Sequence, residues 1–254
     1  MRIVRYRHGN EVGFGVLEDT TVAAIRPHPF GPFQYSGTRL PLDDVRLLAP
    51  VLPTKVVAVG RNYAEHAREI GGEVGTEPVI FLKPSTAVIG PEDPIVYPIG
   101  VDRVDYEGEL AAIIGKLTRR VDEADAMQAV LGFTCANDVT ARDLQKVDGQ
   151  WTRAKGFDTF CPLGPWIETD LDSSDLALRT LVNGEARQSS RTSKLERGVA
   201  GLIAFVSSVM TLLPGDVLLT GTPAGVGPLA VGDRVEVEIE GIGVLGNPVI
   251  AEPT

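Results

Sequence analysis

The stretch RVDYEGELAAIIGK, residues 103–116, constrains this chain more than any other. Asp105, Glu107 and Glu109 alternate with Val104, Tyr106 and Gly108 and run straight into an apolar segment. On a β-strand, alternate side chains share a face, so the three carboxylates would be stacked on one side. Ionised groups are costly to bury and like charges repel, so either this face meets water or something cationic neutralises it. A second stretch, VEVEIEG, acts as an internal control: Glu236, Glu238 and Glu240 also alternate, but against Val235, Val237 and Ile239. That is the pattern of a half-buried strand with its acids in solvent. In DYEGEL the opposite face is interrupted by Gly108, and glycine within a strand often marks a close approach by a ligand or another backbone. The pattern leaves two readings open, a solvated strand face and a metal site, of which the first is the commoner.

Carboxylates without a nearby His or Cys suit a hard, oxygen-preferring ion: Mg2+, Mn2+ or Ca2+. A third ligand would have to come from elsewhere. Asp138 in GFTCANDVTARDLQ is a candidate, although an Asn-Asp pair is equally at home in a turn or at a helix cap. His66 and Glu69 in NYAEHAREIG lie three apart and would share a helix face. A carboxylate beside an imidazole raises its basicity, but a chance neighbour pair on an exposed helix has the same spacing. Arg142, Gln145 and Lys155 follow Asp138 and could clamp a substrate carboxylate or stabilise an enolate; ordinary surface charge is the plainer alternative. TGTPAGVG, residues 220–227, lacks the lysine and following helix of a phosphate loop and reads as a sharp turn with exposed amides.

The 254 residues, 43% of them hydrophobic, suffice for a substantial core. A formal charge of −10 argues against nucleic acid and anionic membrane surfaces as partners. MRIVRYRHGN does not resemble a signal peptide, no apolar run is long enough to span a bilayer, and Cys135 and Cys161 form no C-x-x-C pair. A cytoplasmic, reducing setting is expected. Short strand-like pieces (RIVRYR, EVGFGVLE) and a turn-rich linker (IRPHPFGPFQYSGTRLPL) suggest a small β-rich N-terminal domain over 1–50, with the remainder, 51–254, as a second domain. KVVAVG, PVIFLK, ELAAIIG, DVLLTG and VEVEIEG read as strands, and NYAEHAREIGG and ADAMQAVLG as short helices. The longest expected helix runs from about Ser193 to Leu213, opened by a Ser193–Glu196 capping box. Strands outnumber helices without regular β-α alternation, so the expected class is α+β with a β-rich core.

With these residues laid out, the chain resembles the fumarylacetoacetate hydrolase family from about Lys55 to Pro248. The matching segments are GRNYAEHAREIG, PVIFLKPSTAVIGP, VDYEGELAAIIGK, NDVTARDLQ, QWTRAKGFDTFCPLGPWI, TLVNGE, LLPGDVLLTGTPAGVG and GDRVEVEIEGIG. The resemblance implies a roll of mixed β-sheets, usually homodimeric. It implies Glu107, Glu109 and Asp138 as ligands of Mg2+ or Mn2+, with no such role for Asp105. His66 and Glu69 match a catalytic dyad on a short helix that closes over bound ligand, Lys155 a lysine facing the substrate, and Arg142, Gln145 and Thr222 polar contacts around it. The substrate implied is a small anionic 2-oxo acid. The first expectation is hydrolytic cleavage of a carbon–carbon bond in an acylpyruvate-like 2,4-dioxo acid through an enolate. The alternatives are a 2-hydroxyhepta-2,4-diene-1,7-dioate isomerase or an oxaloacetate decarboxylase and, outside enzymes, a metal-stabilised scaffold that binds 2-oxo acids.

Overall fold

The segment into which the acids lead organises the layout. Strand Gly108–Ile114 is buried along its whole length. Its side chains divide by parity, Leu110, Ala112 and Ile114 entering one core cluster and Ala111 and Ile113 another. A strand covered on both faces requires such an unbroken apolar run. In the computed structural model, which describes residues 1–253, this strand lies within a 12-stranded sheet. It pairs antiparallel with Val130–Asn137 on one side and Val217–Leu219 on the other. Beyond Val217–Leu219 come Val56–Gly60, in parallel, and Val79–Lys83. A five-stranded sheet containing Ala177–Val182 and Arg234–Ile239 supplies Leu178, Val237 and Ile239 to the first cluster, and helix Val199–Val209 supplies Leu202, Ile203 and Val206. The fold is α+β and β-rich, with several mixed sheets, as expected.

The first fifty residues extend the large sheet, with strand Arg2–His8 pairing to Cys161–Glu168 through Arg2 and Ile3. Much of the stretch read as a turn-rich linker is a hairpin of Thr21–Arg26 and Gln34–Pro41. The second of these strands is exposed almost throughout and so lacks the apolar alternation that marks a half-buried strand.

The Ser193–Leu213 helix is shorter than its apolar stripe suggests. Thr192–Lys194 is a 3-10 turn, the helix spans Val199–Val209, and Gly198 rather than Ser193 precedes it. Long-range contacts take over the intervening segment: Glu196 N donates to the Asn62 carbonyl, and Arg197 N to Asn62 Oδ1. The ADAMQAVLG helix is likewise cut to Glu123–Ala126 and a 3-10 turn before strand Val130–Asn137 begins. In the control strand, Val235, Val237 and Ile239 are buried while Glu238 pairs with Arg179 at 2.7 Å near the surface. Among the described residues no helix is long and apolar enough to cross a membrane.

Candidate active site

Asp105, Glu107 and Glu109 do not share the face of one strand. Val104–Tyr106 belongs to a three-stranded sheet and Gly108–Ile114 to the large one, and the chain changes sheet at Glu107. Gly108 permits the switch, because a Cβ there would lie 2.1 Å from Thr180 Oγ1 of the neighbouring sheet. Asp105 is fully buried and turns to arginines, accepting from Arg103 Nε at 2.7 Å and Arg142 Nε at 2.8 Å. Glu107 and Glu109 converge instead with Asp138, each offering an oxygen within 4.8 Å of the others, and all three are buried. Asp138 arrives just past the end of strand Val130–Asn137, fixed by its N–H donating to the Glu107 carbonyl at 2.8 Å.

Cations are interleaved with these acids. Lys155 Nζ donates to Glu107 at 2.7 Å and to Asp138 at 2.6 Å, and Arg142 Nη2 donates to Glu107 at 2.5 Å. Arg142 Nη1 donates to Gln145 at 2.6 Å. Lys83, fully buried, donates to Asp138 at 2.6 Å and to the Val139 carbonyl at 3.2 Å. Burial pushes the Glu107 carboxyl up, but Lys155, Arg142 and His66 outweigh it and hold it well below the usual carboxylate range. Burial pulls the Lys155 ammonium down, yet Asp138 and Glu107 leave it raised, so it stays charged.

Glu109 is the exception. It accepts from the Gly221 amide at 2.6 Å and, among the described residues, has no basic side chain in contact. Burial, Asp138 and Glu107 all push its carboxyl well above the normal value. Lys83, Arg142 and Lys155 thus contact Glu107 and Asp138 but not Glu109, and where the three carboxylates meet the triad offers oxygen donors only. A hard divalent cation fits this donor set.

The dyad residues sit on helix Ala64–Glu69, with His66 Nδ1 3.2 Å from Glu69 Oε2. Glu69 also accepts from the Gly225 amide at 3.0 and 3.2 Å. The 220–227 loop thus ties down both Glu109 and Glu69 with main-chain N–H groups, and these amides are occupied rather than exposed. Thr222 Oγ1 donates to the Gly108 carbonyl at 3.0 Å and accepts from Gln188 at 2.8 Å, which leaves it a lone pair but no proton for a ligand. Every site residue named from the sequence except Glu69 lines one inner cavity of about 20 Å³. Glu69 lines an adjoining cleft of about 530 Å³ that shares Arg61, Ile70, Arg142, Gln145 and Trp151 with it. Phe81 and Trp151, in edge contact with ring centroids 5.2 Å apart, wall the inner cavity, and Lys155 Nζ lies 5.1 Å from the Phe81 centroid.

Sequence reading missed Lys83, Arg61 and the role of Asn62. Asn62 Nδ2 donates to the carbonyls of Thr220 at 2.8 Å and Arg197 at 3.0 Å, joining the start of the dyad helix to the 220–227 loop. Lys83 had one available signal: it ends an apolar strand on the same side as Phe81.

A buried carboxylate cluster laced with lysine and arginine, beside a His–Glu pair on a β-rich scaffold, defines a candidate metal-assisted enzyme centre. The chain belongs to the fumarylacetoacetate hydrolase family: the model for the fumarylacetoacetate hydrolase C-terminal domain matches residues 55–250, and that for the Rv2993c-like N-terminal region matches 1–50. Protein Rv2993c of Mycobacterium tuberculosis is 52% identical over 98% of each chain. A solved structure from Mycobacterium smegmatis, described as 5-carboxymethyl-2-hydroxymuconate delta-isomerase, is 54% identical with a TM-score of 0.94, covering 99% of this chain and all of its own. The mitochondrial oxaloacetate tautomerase FAHD2A of Bos taurus is 47% identical over 83% of this chain and 71% of that protein.

Proposed function

We propose that the chain is a Mg2+- or Mn2+-dependent isomerase or tautomerase that moves a proton at C3 of a small anionic 2-oxo acid through an enolate. The observation that carries this reading is the meeting, in one inner cavity, of a glutamate-held histidine, a charged buried lysine and the carboxylate triad. A bound divalent ion would be held by Glu107, Glu109 and Asp138 and would polarise the 2-oxo group as a Lewis acid. In the tautomer that carries its proton on Nδ1, facing Glu69, His66 has Nε2 available as a base. Nε2 takes a proton from C3, the C–H electron pair forms the C2–C3 double bond, and the carbonyl electrons move onto the C2 oxygen. Lys155 places a permanent positive charge where that negative charge develops. Arg142 and Gln145, already hydrogen-bonded to each other, are placed to orient the C1 carboxylate. Return of the proton to oxygen or to another carbon completes tautomerisation or double-bond migration. The names of the M. smegmatis and bovine relatives support this choice over the hydrolytic one. The same reading takes a homodimer as the working assembly and residues 1–50 as an accessory domain.

A second reading, hydrolysis of an acylpyruvate, is favoured by the inner cavity, whose roughly 20 Å³ matches a single water beside His66. His66 would deprotonate that water, hydroxide would add to the distal carbonyl, and the C3–C4 pair would collapse into the same enolate with release of a carboxylic acid. The two readings separate in one assay of Mg2+-loaded protein on oxaloacetate, a 2-hydroxydienedioate and acetylpyruvate. Keto–enol interconversion or isomerisation at least tenfold faster than acetylpyruvate cleavage is expected. Faster cleavage of acetylpyruvate would establish the hydrolase, and no metal-dependent turnover of any of them would leave a binding scaffold.

A further inference from the structure

The basic side chains around the two connected cavities are mostly committed to the protein's own acids: Arg103 and Arg142 to Asp105, Arg142 and Lys155 to Glu107. Lys146 is exposed on the outer cleft. Arg61 is different. It lines both the inner cavity and the outer cleft, yet among the described residues it makes no side-chain hydrogen bond and no ion pair, and its Nε is buried without a partner. Its backbone has φ 59°, a left-handed conformation that side chains larger than glycine adopt only at a cost. Its guanidinium packs against Gly72, beyond the end of the dyad helix, where an added Cβ would come within 3.2 Å of Cζ. A strained backbone and a buried, unpaired Nε on an always-charged group are tolerated where a ligand completes them.

We propose that Arg61 binds a second carboxylate of the substrate and is the residue that selects dicarboxylic over monocarboxylic 2-oxo acids. The inference rests on the 2-oxo acid reading above for the first carboxylate. A guanidinium presents paired N–H donors that match a carboxylate edge to edge, which an ammonium does not. Placed on both chambers, Arg61 reads the end of the ligand remote from the chemistry, while Arg142, Gln145 and Lys155 serve the reacting end.

The test compares substrates of equal chain length that differ in the second carboxylate, oxaloacetate with 2-oxobutanoate and 2-oxoglutarate with 2-oxopentanoate, on Mg2+-loaded protein. C3 proton exchange followed by NMR gives kcat and KM, and calorimetric titration of the 2-oxoglutarate pair gives affinity without turnover. Wild type is expected to favour the dicarboxylate of at least one pair by about 10- to 100-fold in kcat/KM, mainly through KM. Arg61→Met is expected to collapse that ratio towards unity, and Arg61→Lys to keep part of it. A ratio that survives Arg61→Met, or a wild type with no preference in either pair, overturns the proposal while leaving the 2-oxo acid reading intact. If wild type neither binds nor exchanges any of these acids, that reading and this one fall together.

Discussion

Replacing Glu109 by glutamine is expected to abolish the stabilisation that a divalent ion gives the protein and to lower turnover by about 10³-fold or more, while leaving the metal-free protein at least as stable as wild type. The last part follows from the surroundings of Glu109. Among the described residues Glu109 is the triad member that no basic side chain contacts, and burial with Asp138 and Glu107 outweighs the more distant Lys155 and pushes its carboxyl up. Glutamine keeps the shape and an acceptor for the Gly221 amide but removes the uncompensated charge. The sign for pH agrees: the native state holds this proton more tightly than the unfolded chain. Metal-free wild type therefore loses stability as pH rises above the unfolded carboxylate pKa of about 4.3, and Glu109→Gln loses that slope. Ion present at a hundred times its dissociation constant adds about 2.7 kcal/mol to wild type. At about 2–4 °C per kcal/mol for a chain of this size, the melting temperature rises by about 5–10 °C. The turnover loss reflects several kcal/mol of Lewis-acid stabilisation, at about 1.4 kcal/mol per factor of ten. An unchanged metal-induced shift in Glu109→Gln, read by scanning fluorimetry, would remove Glu109 from the ligand set.

Lys155→Met should act in the opposite direction on the metal-free protein. Lys155 bridges Glu107 at 2.7 Å and Asp138 at 2.6 Å, both buried. Removing one partner of a buried pair costs about 3–5 kcal/mol because the remaining charge stays uncompensated. A divalent ion is expected to restore much of that stability, since it neutralises the same carboxylates. Turnover should still fall about 10²- to 10³-fold, because the positive charge beside the developing enolate is gone. Melting curves with and without Mg2+, alongside kcat, separate the two roles. A metal-free variant within 1 kcal/mol of wild type would show that the lysine does not neutralise the cluster.

The two effects explain why the site was only partly legible in the sequence. Glu107 and Glu109 are visible because alternation brings residues two apart together, and the apolar run after them marks the strand as buried. Pattern alone placed Asp105 with them. The sheet switch at Glu107, which Gly108 permits by letting Thr180 approach, sends Asp105 to Arg103 and Arg142 instead. Asp138, His66 and Lys155 carry no local signal that separates them from a cap, an exposed helix or surface charge; the ordered family motifs single them out. Lys83 and Arg61 stayed hidden because what marks them is three-dimensional: a buried ammonium against Asp138, and a guanidinium whose buried Nε has no partner among the described residues. The same lesson holds for the Ser193–Glu196 box, whose local preference yields to pairing with Asn62, distant in sequence.

The step that defines the proposed reaction is removal of a proton from C3 of a 2-oxo acid by His66, beside the carboxylate centre. Its most direct test is the incorporation of deuterium at C3 of oxaloacetate in D2O, followed by proton NMR on metal-stripped protein, on protein with Mg2+ restored, and on Mg2+-loaded His66→Asn. Exchange is expected to need both protein and Mg2+ and to fall about 10²- to 10⁴-fold in the variant. Exchange no faster than Mg2+ in buffer, or equally fast in His66→Asn, would contradict it.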